Sequence, residues 1–193
     1  MTQNSMVLPI ALIVVFAIAV AAFFIFANPY DDSDDEIGSR IAVALVGTGE
    51  AFSSTVPDID GDGVADEATC FTIDLIDLDS NEIIGDATDC LSNITPDGDG
   101  LRVIGTTTFN FPQGQLVTRG ETTAQPLLHG ANGFTHATGA PAPPIGESNV
   151  LSGTGEFADA AGSGMARLSG LVDMSRLADD GLMGFNCLFV IDL

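Results

Sequence analysis

The chain has 193 residues, 27 of them acidic and only five basic, all five arginines, for a formal net charge of −22. Neutralising phosphates takes clustered Lys and Arg, so this composition excludes a nucleic-acid partner and, on the same ground, adsorption to an anionic membrane surface. Hydrophobic residues make up 46% and charged residues 17%, which argues against disorder and leaves enough apolar surface for one domain plus an appendage.

Met6–Ala27 is an apolar run interrupted only by Pro9. A helix of that length spans roughly 33 Å, enough to cross a hydrocarbon core of about 30 Å. A secretory signal peptide is the competing reading, with cleavage after Ala27, but no Lys or Arg precedes the run and the apolar stretch is long for a signal. The expectation is a transmembrane anchor (or signal peptide) over 1–29. An acidic stalk over 30–39, carrying Asp31, Asp32, Asp34, Asp35 and Glu36, then separates the anchor from a folded domain at 40–193.

From Arg40 onward the hydrophobic pattern alternates with a period of two. Strands are expected at 40–47, 70–78, 82–91, 101–111, 115–124, 133–139, 148–153, 164–175 and 183–193, separated by glycine-rich turns. In the fourth, Leu101, Val103, Thr107, Phe109 and Phe111 share a face. In the last, Phe185, Cys187, Phe189, Ile191 and Leu193 alternate to the final residue. Eight or nine short strands without a long amphipathic helix define an all-β antiparallel sandwich or barrel. Pairing the last strand with the first would remove both sheet edges, so an eight-stranded (eight to nine) closed barrel is preferred. Pro141-Ala142-Pro143-Pro144 reads as an extended connection within it.

The segment 58–69 carries the sharpest motif. Asp58, Asp60, Asp62 and Asp66 stand at positions 1, 3, 5 and 9 of a calcium loop of the EF-hand or thrombospondin-repeat kind, with Gly63 at position 6 and the Val64 carbonyl at position 7. A hard cation takes such oxygen ligands, and Ca²⁺ is the cofactor expected. Thr69 stands at position 12, where an EF-hand has a bidentate glutamate, so weak binding is expected, on the order of 10⁻⁴–10⁻³ M. The alternative is a solvated acidic turn, in keeping with thirteen acidic and no basic residues from Asp58 to Asp99.

Cys70 and Cys90 lie ten residues to either side of Ser80, at the centre of a predicted hairpin turn, so they face one another and are expected to form a disulfide. Such a bridge needs an oxidising compartment, which with the calcium loop places the domain on the extracytoplasmic side, anchored or secreted. Cys187 reads as a core residue. His129 and His136 are too few for a zinc site; near a glycine-rich loop they read as surface or loop-capping residues, the alternative being a general base in a barrel mouth. No nucleophile elbow or phosphate loop is present. Asn93-Ile94-Thr95 is a glycosylation sequon.

Thr107-Thr108-Phe109-Asn110-Phe111-Pro112-Gln113-Gly114, together with the turn from Leu151 to Gly162 (Leu-Ser-Gly-Thr-Gly-Glu-Phe-Ala-Asp-Ala-Ala-Gly), resembles the allene oxide cyclase barrels and their dirigent relatives. The resemblance covers about half the chain. It implies an eight-stranded barrel with an apolar interior, often assembled as a homo-oligomer, and a small hydrophobic ligand. It also implies, as an alternative, an isomerase or cyclase acting on a lipid-derived or phenolic substrate. The family's catalytic carboxylate lies in its first strands, where Glu50 is the only carboxylate here, so no catalytic residue is assigned. A non-catalytic surface structural domain with a solid interior is the third alternative.

Overall fold

The computed structural model describes residues 39–127 and 134–193. The anchor and signal readings of Met6–Ala27, the acidic stalk and His129 lie outside them. Among the described residues no helix is long and apolar enough to cross a membrane.

Ten strands form one antiparallel sheet: β1 Arg40–Glu50, β2 Phe52–Val56, β3 Asp66–Asp77, β4 Ile83–Asp97, β5 Gly100–Phe111, β6 Gly114–Pro126, β7 Thr135–Ala140, β8 Val150–Gly153, β9 Met165–Arg176 and β10 Leu182–Asp192. The only α-helix among the described residues is the single turn α1, Leu177–Asp180. The order β1-β10-β9-β7-β6-β5-β4-β3 closes on itself because β1 pairs with both β10 and β3. Eight strands therefore make a closed barrel, and β2 and β8 are outer strands, on β3 and β6 respectively. The last strand seals the barrel against the first over eleven residues, from Arg40↔Asp192 to Glu50↔Leu182, so neither is left as an open edge.

Each of the nine strands expected from alternation is present, and the tenth, β2, was not foreseen. Its Phe-Ser-Ser-Thr-Val sequence buries only Val56, too little to read as a core strand. It forms because, after the break at Ala51 that ends β1, the chain continues alongside β3, pairing Phe52↔Cys70 through Val56↔Asp66.

The inward faces follow from register. Ile73 opposes Ala87, Ala87 opposes Phe109 and Phe109 opposes Leu116, all fully or nearly fully buried. Val43, Leu45, Phe185, Phe189 and Ile191 complete the wall opposite. Removing each such side chain from water contributes roughly 1.5–3 kcal/mol. Phe109 meets Phe189 edge-on at 5.0 Å, and Phe71 meets Phe185 at 5.6 Å, so aromatic rings fill the barrel from both sides.

Cys70 and Cys90 are directly opposed in β3 and β4 and form a disulfide with a Cα separation of 4.0 Å. The bridge lies on the outer face, under Val56 and Ala68 in a small satellite cluster separate from the barrel core. The hairpin between β2 and β3 thereby carries the acidic loop on a covalently braced base.

Candidate functional site

Three places hold chemistry: the acidic loop, the polar centre of the barrel, and a cleft at one barrel end.

The loop 57–65 joins β2 to β3. Gly61 and Gly63 have φ of +83° and +84°, a left-handed conformation that costs glycine nothing and fits the motif's tight turn. The turn folds the carboxylates of Asp58, Asp60 and Asp62 together, with one oxygen from each within 4.8 Å of the others. The Asp58 carboxylate accepts the amides of Gly61 at 2.7 Å and Gly63 at 2.8 Å. Those bonds, that from Gly63 first, hold its pKa below the usual 3.8. Asp60 accepts from the Asp62 amide, and Asp62 from that of Val64. Of the expected ligand set, Asp58, Asp60 and Asp62 converge. The Asp66 carboxylate instead accepts the Ile59 amide at 2.6 Å and stands outside the trio. Val64 carries an exposed side chain, and Thr69 belongs to β3, paired with Ser53 and Leu91.

Arg119 anchors this loop. From the outer face of β6 its guanidinium donates to the carbonyls of Pro57 at 2.5 Å and Asp58 at 3.0 Å, and to Thr106 Oγ1 at 3.2 Å. The loop is thus tied to the barrel wall by a cation that uses the loop's backbone oxygens rather than its carboxylates.

Glu50, the only carboxylate in the first strand region, is exposed at the end of β1 and alternates with the buried, inward Gly49. The carboxylate the barrel does enclose is Asp89 of β4. It is buried, faces inward between Ala87 and Leu91, and accepts a hydrogen bond from Thr107 Oγ1 at 2.8 Å. Burial pushes its pKa up to about 6, opposed by that single hydrogen bond. Thr118, Thr122, Gly105 and Gly120 surround it and leave a cavity of about 20 Å³, room for one water molecule. Sequence reading passed over Asp89. The signal was present: once Cys70 faces Cys90, Asp89 must oppose Phe71 on the inner face. Cys187 is buried as expected, and burial raises its thiol to about 11. His136 lies on β7, its Nδ1 at 2.9 Å from the Phe134 carbonyl.

An apolar opening lies at the barrel end opposite the acidic loop. A cleft of about 540 Å³ is floored by Ile41, Val43, Ile84, Phe111 and Phe157. Phe111 and Phe157 meet edge-on at 5.4 Å. Arg40, Asp77, Gln113 and Glu156 stand around the rim, and Leu78 is 49% exposed beside them. Two turns build the rim. The β5–β6 turn supplies Phe111 and Gln113, and the short 3₁₀ turn Gly155–Phe157 supplies Glu156 and Phe157. The turns interlock: the Glu156 amide donates to the Gln113 carbonyl at 3.1 Å, and Thr154 Oγ1 accepts from the Gln115 amide at 2.9 Å. A Cβ on Gly155 would sit 2.1 Å from the Gln113 carbonyl oxygen, so the approach requires glycine there. Rim carboxylate Asp77 is committed to its own turn, where it accepts from Ser80, and those bonds lower its pKa.

No protein-family model matches the chain, and no curated protein matches it.

Proposed function

We propose that the protein is a barrel module that binds a small, mainly apolar molecule in the cleft between β1, β5 and the Gly155–Phe157 turn, with its acidic loop as a calcium-dependent brace. The observation that carries this reading is the cleft itself. Its 540 Å³ falls within the roughly 300–1,000 Å³ of small-molecule sites, and an apolar floor under a few polar rim groups fits such a ligand. The barrel centre offers only about 20 Å³, so the ligand sits at the mouth rather than within. The Phe111-Pro112-Gln113-Gly114 and Gly155-Glu156-Phe157 segments, which carry the resemblance to allene oxide cyclase barrels, are also the segments that build the rim.

Calcium enters through Asp58, Asp60 and Asp62, whose convergent oxygens repel one another unless a cation lies between them. The disulfide supports a domain held in an oxidising, extracytoplasmic compartment, and the Met6–Ala27 run supports tethering to the membrane. The solid barrel centre favours the alternative of a purely structural surface domain. A cyclase acting through Asp89 would require its substrate to enter a space the size of one water.

Binding of the neutral fluorophore N-phenyl-1-naphthylamine separates the ligand and structural readings. The account predicts saturable enhancement that drops at least tenfold in Leu78→Glu, a change at an exposed position. No saturable binding, or equal binding by the variant, leaves the structural reading.

A further inference from the structure

β4 changes its pairing at Leu91. Up to that residue it pairs with β3 on one side and β5 on the other; from Ser92 to Asp97 it pairs with β5 alone, while Asp66, Glu67 and Ala68 of β3 pair only with β2. Among the described residues, the side of β4 that faces β3 is therefore an open edge beyond Leu91. A groove of about 610 Å³ opens where the two strands part, lined by Ser53, Thr55, Glu67, Thr69, Ser92 and Asn93.

A bulge sits on this edge. The register steps from Ser92↔Ile104 to Thr95↔Arg102, so Asn93 and Ile94 together oppose Val103. Asn93 has a φ of +50°, in the left-handed region that asparagine enters more readily than most residues. The bulge ends the inward–outward alternation: Asn93, Ile94, Thr95 and Pro96 are all exposed. The Asn93 carboxamide forms no hydrogen bond to another described residue. Asn93 also opens the sequon Asn93-Ile94-Thr95, and no other asparagine of the chain has Ser or Thr two positions on. The single acceptor sequence thus falls where the fold lifts its amide clear of the sheet.

We propose that Asn93 is an N-glycosylation site, modified by transfer from a polyprenyl phosphate- or diphosphate-linked oligosaccharide; this rests on the extracytoplasmic reading of the domain. In the transfer, Asn93 Nδ2 forms a bond to C1 of the first sugar and the bond from C1 to the phosphate oxygen breaks. The polyprenyl phosphate or diphosphate leaves, and one amide hydrogen departs as a proton. The bulge meets the needs of that step: an exposed, unbonded amide stands beside an exposed Thr95, whose hydroxyl donates to the Arg102 carbonyl at 3.3 Å. The groove gives an attached sugar the hydroxyls of Ser53, Thr55, Thr69 and Ser92 as neighbours. A hydrated oligosaccharide there covers Ile94, which is 53% exposed, and the open edge of β4 that would otherwise invite pairing.

The test is mass mapping of the full chain purified from the cells that naturally express it, with variants expressed in the same cells. The peptide containing Asn93 is expected to carry the added mass of one or more sugar residues. That mass should be lost in Asn93→Asp, which still suits the left-handed backbone, and in Thr95→Ala, and kept in Thr95→Ser. Circular dichroism that matches wild type shows that the variants fold, and Thr95→Ala decides if Asn93→Asp does not. Unmodified Asn93 in the wild type, or added mass that survives either Asn93→Asp or Thr95→Ala, overturns the proposal. The same maps show the state of Cys70 and Cys90. An unmodified Asn93 beside an intact disulfide overturns the glycosylation alone, whereas one beside two free thiols overturns the extracytoplasmic reading with it.

Discussion

Asp89 is the residue whose environment departs most from its chemistry. It lies in a barrel of Phe, Leu and Ile side chains with one hydroxyl donor, Thr107, and burial raises its pKa from 3.8 to about 6. The folded state thus holds the proton more tightly than the unfolded chain. The stabilisation from the protonated form is fully present below about pH 3.8 and is lost as pH rises through 6. Asparagine at this position keeps the acceptor for Thr107 without the charge. Asp89→Asn is therefore expected to be more stable than wild type at pH 7 by on the order of 1–3 kcal/mol. The difference should vanish near pH 4. Denaturant melts of both proteins across pH 4–8 measure it; the remaining carboxylates titrate in both and cancel. Cys187, raised to about 11 by burial, should resist alkylation at neutral pH until the barrel unfolds, which mass mapping checks.

Among elements, the β2–β3 hairpin concentrates the predictions. The disulfide at its base joins β3 to β4 and closes a loop whose cysteines are 20 residues apart, and chain entropy assigns such a bridge about 3 kcal/mol. Cys70→Ala/Cys90→Ala should lose about that much in an equilibrium melt while retaining strand content. Arg119→Ala removes the donors to Pro57 and Asp58. Amide exchange across 58–64 should accelerate in this variant while the β3–β4 core amides stay protected. With millimolar calcium the melting temperature should rise above that in sodium chloride of equal ionic strength, and Asp60→Asn/Asp62→Asn should abolish the difference. Equal shifts in the two salts would mean ordinary screening of a solvated turn.

How much of this was legible in the sequence depends on what each element buries. β5 and β10 alternate cleanly because one face of each fills the barrel, and the Cys70–Cys90 bridge followed from counting back from Ser80. β2 was illegible because four of its five residues are exposed, and its strand state comes from pairing with β3. In the loop, spacing alone suggested five ligands. Asp66, already at the start of β3, turns its carboxylate to the Ile59 amide, a local competition that spacing does not encode. The cleft was illegible for another reason: it forms where the β5–β6 turn meets residues some forty positions later, and only the closed barrel brings them together.

At the scale of the molecule, scarce positive charge is fully used. Arg40, Arg102, Arg167 and Arg176 pair with carboxylates, and Arg119 holds the acidic loop. Those pairs are exposed and each contributes little to stability. The barrel instead stands on its closed sheet and its buried aromatic rings. The claim that the apolar cleft holds a small molecule is tested most directly by native mass spectrometry of the full chain purified gently from the cells that express it. The account predicts wild-type protein carrying a low-mass organic adduct that is absent from Leu78→Glu prepared in the same way. Wild-type protein at its bare mass throughout, or the same adduct on the variant, would contradict it.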